Sequence, residues 1–180
     1  VGRVILSDSI SAVIDQALEQ LPVSEFTPDL EALLRDSWKP GRSYGEAFAR
    51  LMTSLLGSHG LILMDPMDSR LKALAAPLYA KAALKAHDIA IAIEARSQRL
   101  VDAGYQAQVT ASENSFPLFM HDESGARHAL MRTDGKYVAK QGGPEFSAKE
   151  LADLATAQPE RFSPNVTLRA VVQDYLLPTL

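Results

Sequence analysis

The sequence predicts an α/β fold with several helices and an inserted small antiparallel β-meander. Apolar residues recur at spacings of three and four through much of 1–104, which is typical of amphipathic helices. A continuous apolar run at 61–64 separates two of these helices, as a strand covered on both faces does in an α/β layer. Residues 105–142 instead show short strand-like stretches between tight turns, and 143–180 returns to the α/β layer.

The composition excludes several classes of protein. The formal charge is −4 and the basic residues are scattered, so the chain offers no positive field for nucleic acid or an anionic membrane. The sequence contains no cysteine, which rules out disulfides, zinc–thiolate sites and a thiol nucleophile within it. No apolar run approaches the ~20 residues of a membrane span, and the first residues lack a signal-peptide pattern. We therefore expect a cytoplasmic protein with neither nucleic acid nor membrane as a partner.

Three helices are predicted before residue 60. Their start signals are, in order, Asp8 or Ser9 as a cap, Thr27 as a cap before Pro28, and a capping box of Ser43 with Glu46. The third helix is predicted to bury its apolar residues, Phe48, Leu51, Met52, Leu55 and Leu56. A glycine, Gly57 or Gly60, ends it before the predicted strand begins.

The predicted buried strand, Leu61–Met64, ends directly at Asp65. Ligands of α/β sheets collect beyond the carboxyl ends of strands, so Asp65 is a candidate binding residue. The alternative is that Asp65 and Pro66, with Asp68 or Ser69, only form the turn and cap the next helix. The residue types alone leave both interpretations open.

A long helical region follows from about residue 68 to residue 104. Pro77 is expected to kink or divide it, because proline removes a backbone donor and crowds the preceding turn. Gly104 is placed to cap its C-terminus.

The meander is predicted to contain four strands, with one face exposed to water. The strands are expected at 106–111, 116–121, 126–132 and 136–140, with turns at 123–125 and 133–136. A second capping box, Ser147 with Glu150, then starts a helix that runs to about Ala157. A last helix is predicted to begin near Ala170.

The stretch from residue 165 to residue 174 combines polar and apolar side chains in an unusual way. Asn165, Arg169, Gln173 and Asp174 stand among large apolar residues, and buried polar groups are costly unless they are paired or face a cleft. Arg169 and Gln173 lie one helical turn apart, and Arg169 could clamp a carboxylate or phosphate. The alternative is an internal ion pair between Arg169 and Asp174 that pins the helix.

No motif in the sequence specifies a cofactor. There is no P-loop, no Gly-x-Gly-x-x-Gly and no Gly-x-Ser-x-Gly. His121 and Asp122 could join a metal site on a hairpin, but a surface pair is the commoner arrangement, so no metal site is evident.

Both ends of the chain suggest a piece of a larger enzyme. The first residue is Val1, and the last ten residues, 171–180, stop in an apolar stretch without a polar tail. We therefore expect flanking segments in the natural protein.

Three stretches, Gly60–Leu78, Ala103–Val109 and Arg161–Thr179, resemble the bacillithiol-biosynthesis cysteine-adding enzyme family. The last stretch is the most specific, and the likeness covers about the middle third of a family member. Two residues depart from the family pattern: Ala107 and Ala170 stand where proline is expected. Both changes soften local rigidity rather than alter chemistry.

The resemblance implies part of a Rossmann-like core in an enzyme that joins cysteine to the amine of glucosaminyl-malate, the last step of bacillithiol synthesis. It implies ATP as co-substrate, bound mostly outside this segment, and a coiled coil that supports a homodimer. Residues that it places at the active-site cleft are Ser163, Asn165, Arg169, Gln173 and Asp174. It identifies no catalytic residue, and we expect the isolated segment to be inactive. The alternative function is a non-catalytic interaction module of a larger cytoplasmic protein.

Overall fold

The computed structural model describes residues 2–109 and 111–177. The chain divides into two compact units, one ending at Asp65 and the other beginning at Pro66. Among the described residues, no helix is both long and apolar enough to cross a membrane.

The described part of the first unit contains three α-helices, α1 (Ile10–Glu19), α2 (Thr27–Ser37) and α3 (Tyr44–Leu56). Ser43 caps α3 as predicted, because its hydroxyl accepts from the amide of Glu46 at 3.2 Å. Helix α2 begins one residue earlier than predicted, since the Thr27 hydroxyl accepts from the amide of Ser24 instead of capping the helix.

The predicted buried strand Leu61–Met64 is wrong. The segment is neither helix nor strand, and Ile62 is 90% exposed. The predicted burial of the apolar residues of α3 is wrong for three of the five, because Phe48, Leu55 and Leu56 are 48%, 50% and 40% exposed. A strand needs a hydrogen-bonded neighbour, and none of the described strands pairs with this segment. Apolar sequence alone therefore did not decide the structure here.

The described part of the second unit contains four α-helices, α4 (Ser69–Leu84), α5 (Ala86–Asp102), α6 (Ala148–Ala157) and α7 (Val166–Leu176). Pro77 lies inside α4 without dividing it; the break falls at Lys85 instead. The helix tolerates the lost donor because its flanking turns, including Ala75 and Tyr79, are buried in the core. Gly104 caps α5 as predicted, with φ of +81° and its amide donating to the carbonyl of Val101.

One four-stranded antiparallel sheet lies in this unit. Its strands are β1 (Ser115–His121), β2 (Arg127–Thr133), β3 (Lys136–Ala139) and β4 (Phe162–Pro164), in the order β3-β2-β1-β4. The first predicted strand, 106–111, is not a strand at the described residues 106–109 and 111, and Thr110 lies outside the description. Instead β4 pairs with β1, so the meander and the region after residue 143 share one sheet.

The sheet contacts α4 and α5, and α6 packs against α4. The core residues include Tyr79, Leu118, Leu130, Leu151 and Phe162. Lys72 is only 2% exposed inside this layer, and its ammonium donates to the carbonyl of Glu160 at 2.9 Å. The mixed α/β class predicted from the sequence is confirmed, with an antiparallel sheet as its β layer.

Candidate substrate-binding site

Helix α7 begins four residues before its predicted start, and Asn165 is the reason. The Asn165 side-chain oxygen accepts from the backbone amides of Thr167 at 3.1 Å and Leu168 at 2.9 Å. These two amides are among the donors that a helix start leaves without intrahelical partners. The prediction of a helix near Ala170 is therefore corrected to a helix that starts at Val166.

The cap also fixes the direction of the rest of the Asn165 side chain. Because the oxygen faces the amides of α7, the two hydrogens of Nδ2 face away from them. Within the described chain, this Nδ2 makes no hydrogen bond. Asn165 is thus both a helix cap and a directed donor with capacity for an external acceptor.

Asn165, Arg169 and Gln173 recur at a spacing of four residues, which places them along one side of the helix start. Arg169 and Gln173 are exposed, and Leu168 and Val172, one position before each of them, are buried in the core. Among the described residues Arg169 forms no ion pair. We call Asn165, Arg169 and Gln173 the α7 stripe; it offers a guanidinium and two amides to an oxygen-rich ligand.

Asp174 does not belong to the α7 stripe. It follows Gln173 by one residue, which is about 100° around a helix. No ion pair joins Asp174 to Arg169 in the described chain. The alternative of an internal ion pair between these two residues is therefore not found.

Ser163 lies on β4, opposite Phe119 of β1. Its hydroxyl is within 3.1 Å of Nε2 of His121, and the residue is 9% exposed. The other ring nitrogen of His121 is 3.3 Å from the carbonyl of Gly125. Because side chains alternate along a strand, and the Asn165 amide continues the ladder to Pro117, Ser163 and Asn165 lie on the same face of the sheet.

Asp65 is the last residue of the first unit, whereas the other candidates lie in the second unit. It is exposed and follows a segment without strand structure. The next helix is capped by Asp68, whose carboxylate accepts from the amide of Arg70 at 2.9 Å. This confirms the capping part of the alternative given for this turn.

His121 and Asp122 point to different partners. The Asp122 carboxylate accepts from the Ser124 hydroxyl and the Ala126 amide and binds His128 Nε2 at 2.6 Å. The Ser124 hydrogen bond, and after it the His128 hydrogen bond, hold the pKa of Asp122 well below its usual value. Within the described residues, no three groups of metal-ligating type gather around one point.

The sequence did not reveal the pairing of Ser163 with His121. The two residues are 42 positions apart, and only the antiparallel register of β4 on β1 brings them together. No local spacing in the sequence could have signalled this pair. The strand beside 116–121 was predicted at 106–111, whereas β4 lies there in the structure.

An apolar groove of about 680 Å³ lies on the other side of α7 from the α7 stripe. Residues of α4, α5 and α7 line it, among them Leu78, Ile89 and Val171. Lys81 and Lys85 also line the groove. The two sides of α7 therefore differ in chemistry, one polar and one apolar.

The fold is a mixed α/β domain, and the polar α7 stripe at its strand-to-helix junction is a candidate ligand-binding surface. Residues 1–180 match the family model described as bacillithiol biosynthesis BshC, N-terminal Rossmann-like domain, and the chain belongs to this family. The resemblance and the Rossmann-like class are thereby confirmed. The matching family model is that of an N-terminal domain, which corrects the expected position in the middle third of a family member.

Three relatives illustrate the match, and each bears the name "Putative cysteine ligase BshC". The protein of Salinibacter ruber is 38% identical over 99% of this chain and 32% of its own length. That of Koribacter versatilis is 39% identical over 96% of this chain and 31% of its own length. That of Bacillus cytotoxicus is 30% identical over 96% of this chain and 32% of its own length. The chain thus spans about a third of the length of the curated relatives it matches.

Proposed function

We propose that this chain is the BshC-family domain of a carbon–nitrogen ligase in bacillithiol biosynthesis. The enzyme would join the carboxyl group of cysteine to the amine of glucosaminyl-malate and form an amide bond. The names of the relatives support a cysteine ligase activity, and the description of the family supports a place in bacillithiol biosynthesis. The amine substrate and the type of bond come from the resemblance stated above.

The observation that carries the proposal is the chemistry of the α7 stripe. Arg169 is an exposed guanidinium without an ion-pair partner in the described chain, and the Asn165 Nδ2 and Gln173 amides stand at four-residue spacings beside it. Planar N–H groups in such an arrangement suit carboxylates, which both proposed substrates carry. Asp174 and Asp65 remain candidates for contacts to the amine or to water.

ATP is the proposed co-substrate, because joining a carboxylate to an amine needs activation of the carboxyl group. The sequence contains neither a P-loop nor a dinucleotide fingerprint, which supports nucleotide binding mainly by other parts of the enzyme. We propose a cytoplasmic enzyme that acts on small molecules, with a homodimer as its assembly in the longer protein.

The test uses the complete reading frame rather than this domain alone. Purified protein is incubated with ATP, cysteine and glucosaminyl-malate, and the amide product is measured by mass spectrometry. Arg169→Ala should lower kcat/KM on the order of tenfold or more, since a charged contact to substrate is lost. Arg99→Ala, which removes an exposed arginine from α5, is the matched control and should leave the rate unchanged.

Two results would count against the proposal in different ways. Absence of the amide product with wild-type enzyme would contradict the ligase function itself. Equal rates for Arg169→Ala and Arg99→Ala, with both variants folded, would remove Arg169 from the substrate site and leave the ligase function standing.

A further inference from the structure

Helices α4, α5 and α7 form the walls of the apolar groove of about 680 Å³. On each wall the apolar side chains repeat at a spacing of three or four residues, so they lie on one side of their helix. These residues are Leu78 and Ala82 on α4, Ile89 and Ile93 on α5, and Leu168 and Val171 on α7. Each helix therefore presents one apolar strip to the same open space, which we call the α4–α5–α7 groove.

The strips are only partly covered within the described chain. Ala82 and Leu168 are buried, whereas Val171 is 50% exposed. The apolar surface also continues beyond the groove, because Leu74, one helical turn before Leu78, is 63% exposed. Single exposed apolar side chains are ordinary on a protein surface, but a contiguous apolar strip with charged residues at its rim is typical of an interface.

The rim of the α4–α5–α7 groove carries an excess of positive charge. Lys81 and Lys85 lie one turn apart on α4, and both are exposed. The ammonium of Lys85 lies 3.5 Å from the carboxylate of Asp88, whereas Lys81 forms no ion pair among the described residues. An occupant of the groove is therefore favoured when it places a carboxylate opposite Lys81, beside the apolar side chains that fill the space between the helices.

An amphipathic helix is the occupant that this chemistry fits. Side chains on one helix pack into the groove between others when its apolar residues recur at spacings of three and four. Charged residues at the edge of its apolar face would then meet the lysines of the rim. A compact small molecule would fill the groove but leave the apolar surface that continues to Leu74 uncovered.

A second copy of this chain does not complement the groove. In a two-fold dimer centred on this surface, each groove would face the same groove of the other copy. Lysines would then approach lysines, and two concave surfaces would enclose an unfilled space.

The curated relatives extend well beyond the stretch that this chain matches, which spans 32% of the Salinibacter ruber protein and 31% of the Koribacter versatilis protein. We propose that the α4–α5–α7 groove docks an amphipathic helix that carries a carboxylate for Lys81 and belongs to another part of the same, longer polypeptide. Such a contact needs little intrinsic affinity, because the connecting chain raises the effective concentration of the helix. The inference concerns the assembly of the protein and holds or fails independently of the ligase function.

The first test measures how well the groove is covered. The chain contains no cysteine, so one introduced thiol reports on one position. Val171→Cys lies in the groove, and Val101→Cys, at a helical position that is 52% exposed and outside the groove, is the matched control. Both are made in the complete reading frame and in the 180-residue chain, and alkylation of each site is followed by peptide mass spectrometry. The thiol at position 171 should react about tenfold more slowly in the complete protein, and the one at position 101 should change by less than about twofold.

Equal labelling at position 171 in the two proteins overturns the proposal. Equally fast labelling leaves the groove open, and equally slow labelling assigns its cover to residues 1–180. Equal slowing at positions 171 and 101 also overturns it, because the cover would not be specific to the groove. If Val171→Cys fails to fold, Ala92→Cys on the α5 wall gives the same measurement.

The second test identifies the occupant. In the complete protein, photo-reactive benzoylphenylalanine in place of Val171 should crosslink within one chain to a peptide outside residues 1–180 that carries an acidic residue among apolar residues at helical spacing. Lys81→Glu should weaken this crosslink about threefold, and Lys140→Glu, at an exposed position outside the groove, should leave it unchanged. A crosslink between two copies, visible as a mixed product when ¹⁴N and ¹⁵N proteins are combined, overturns the proposal. An absent crosslink, or one that Lys81→Glu does not weaken, overturns it as well.

Discussion

The side-chain oxygen of Asn165 accepts a hydrogen bond from the backbone amide of Leu168 at 2.9 Å. This contact fixes where α7 begins and, through the planarity of the amide, where its Nδ2 points. A residue that the sequence suggested for ligand binding therefore also has a structural task. The two roles can be separated by choosing substitutions that keep one and remove the other.

Asn165→Ala should lower the free energy of unfolding of the second unit by about 1 kcal/mol, the usual loss when a helix cap is removed. Asn165→Asp should keep most of the stability, because a carboxylate oxygen caps the same two amides. In the complete enzyme Asn165→Asp should still weaken substrate binding, since the Nδ2 donor becomes a negative charge.

The measurement has to report on the correct unit. The single tryptophan, Trp38, lies in the first unit, so its fluorescence does not follow α7. Hydrogen exchange of the α7 amides with far-UV circular dichroism is the suitable readout. Equal losses of stability in Asn165→Ala and Asn165→Asp would contradict the capping role.

Phe162→Ala should destabilise the second unit by about 3–5 kcal/mol, because Phe162 is fully buried where β4 meets the core. Tyr175→Ala is the control: Tyr175 is an aromatic residue in the same unit with 54% of its surface exposed, and its removal should cost about 0.5 kcal/mol or less. Denaturant unfolding followed by circular dichroism gives both values. Similar losses for the two variants would mean that β4 is not part of the core.

Lys72→Ala should cost about 2–4 kcal/mol, since it removes a buried side chain and leaves the Glu160 carbonyl without its donor. Lys72→Met preserves most of the side-chain volume and should cost less, about 1–2 kcal/mol, because it removes only the polar contacts of the ammonium, among them the bond to Glu160. The difference between the two variants, measured by denaturant unfolding, separates packing from hydrogen bonding. Equal costs would show that the stem of Lys72 contributes no packing.

Asp68 should make the stability of the second unit sensitive to acid. The Arg70 side chain and, after it, the Arg70 backbone amide lower the pKa of Asp68 from 3.8 to about 2. The native state therefore binds fewer protons than the unfolded state in this range, and stability is lost as the pH falls from about 4 to about 2. Because the carboxylate is exposed, the effect should be small and reduced by salt.

Asp68→Asn is the matched variant, because asparagine caps a helix as well as aspartate but does not titrate. Thermal unfolding between pH 5 and pH 2 should show a steeper decline for the wild type than for Asp68→Asn. Parallel declines would contradict the pairing of Asp68 with Arg70.

Local features of the fold were predictable where the signal and its consequence lie within a few residues. The capping box of Ser147 and Glu150 and the helix it starts agree with prediction, ending at Ala157. The Gly104 cap agrees for the same reason: only neighbouring backbone atoms take part. The meander turns are also local, and β1, β2 and β3 fall within a residue or so of their predicted positions.

Three of the failures involve partners that are distant in sequence. Leu61–Met64 has the composition of a buried strand, but composition cannot supply the neighbour that would cover it and pair with it. The fourth strand of the sheet was predicted at 106–111, yet three residues at 162–164 occupy that edge. Pro77 was expected to kink or divide the helix, and tertiary packing keeps α4 continuous across it.

The sequence by itself determined the α/β class, the caps at Ser43, Gly104 and Ser147, and the family, because these depend on local backbone chemistry and on motif identity. It also set Asn165, Arg169 and Gln173 four residues apart, which is about one helical turn. Only the tertiary structure decided that Asn165 starts the helix and that the Ser163 hydroxyl lies beside Nε2 of His121. The physical reason is that a hydrogen bond between residues 42 positions apart exists only once the register of two strands is set, and no local interaction sets that register.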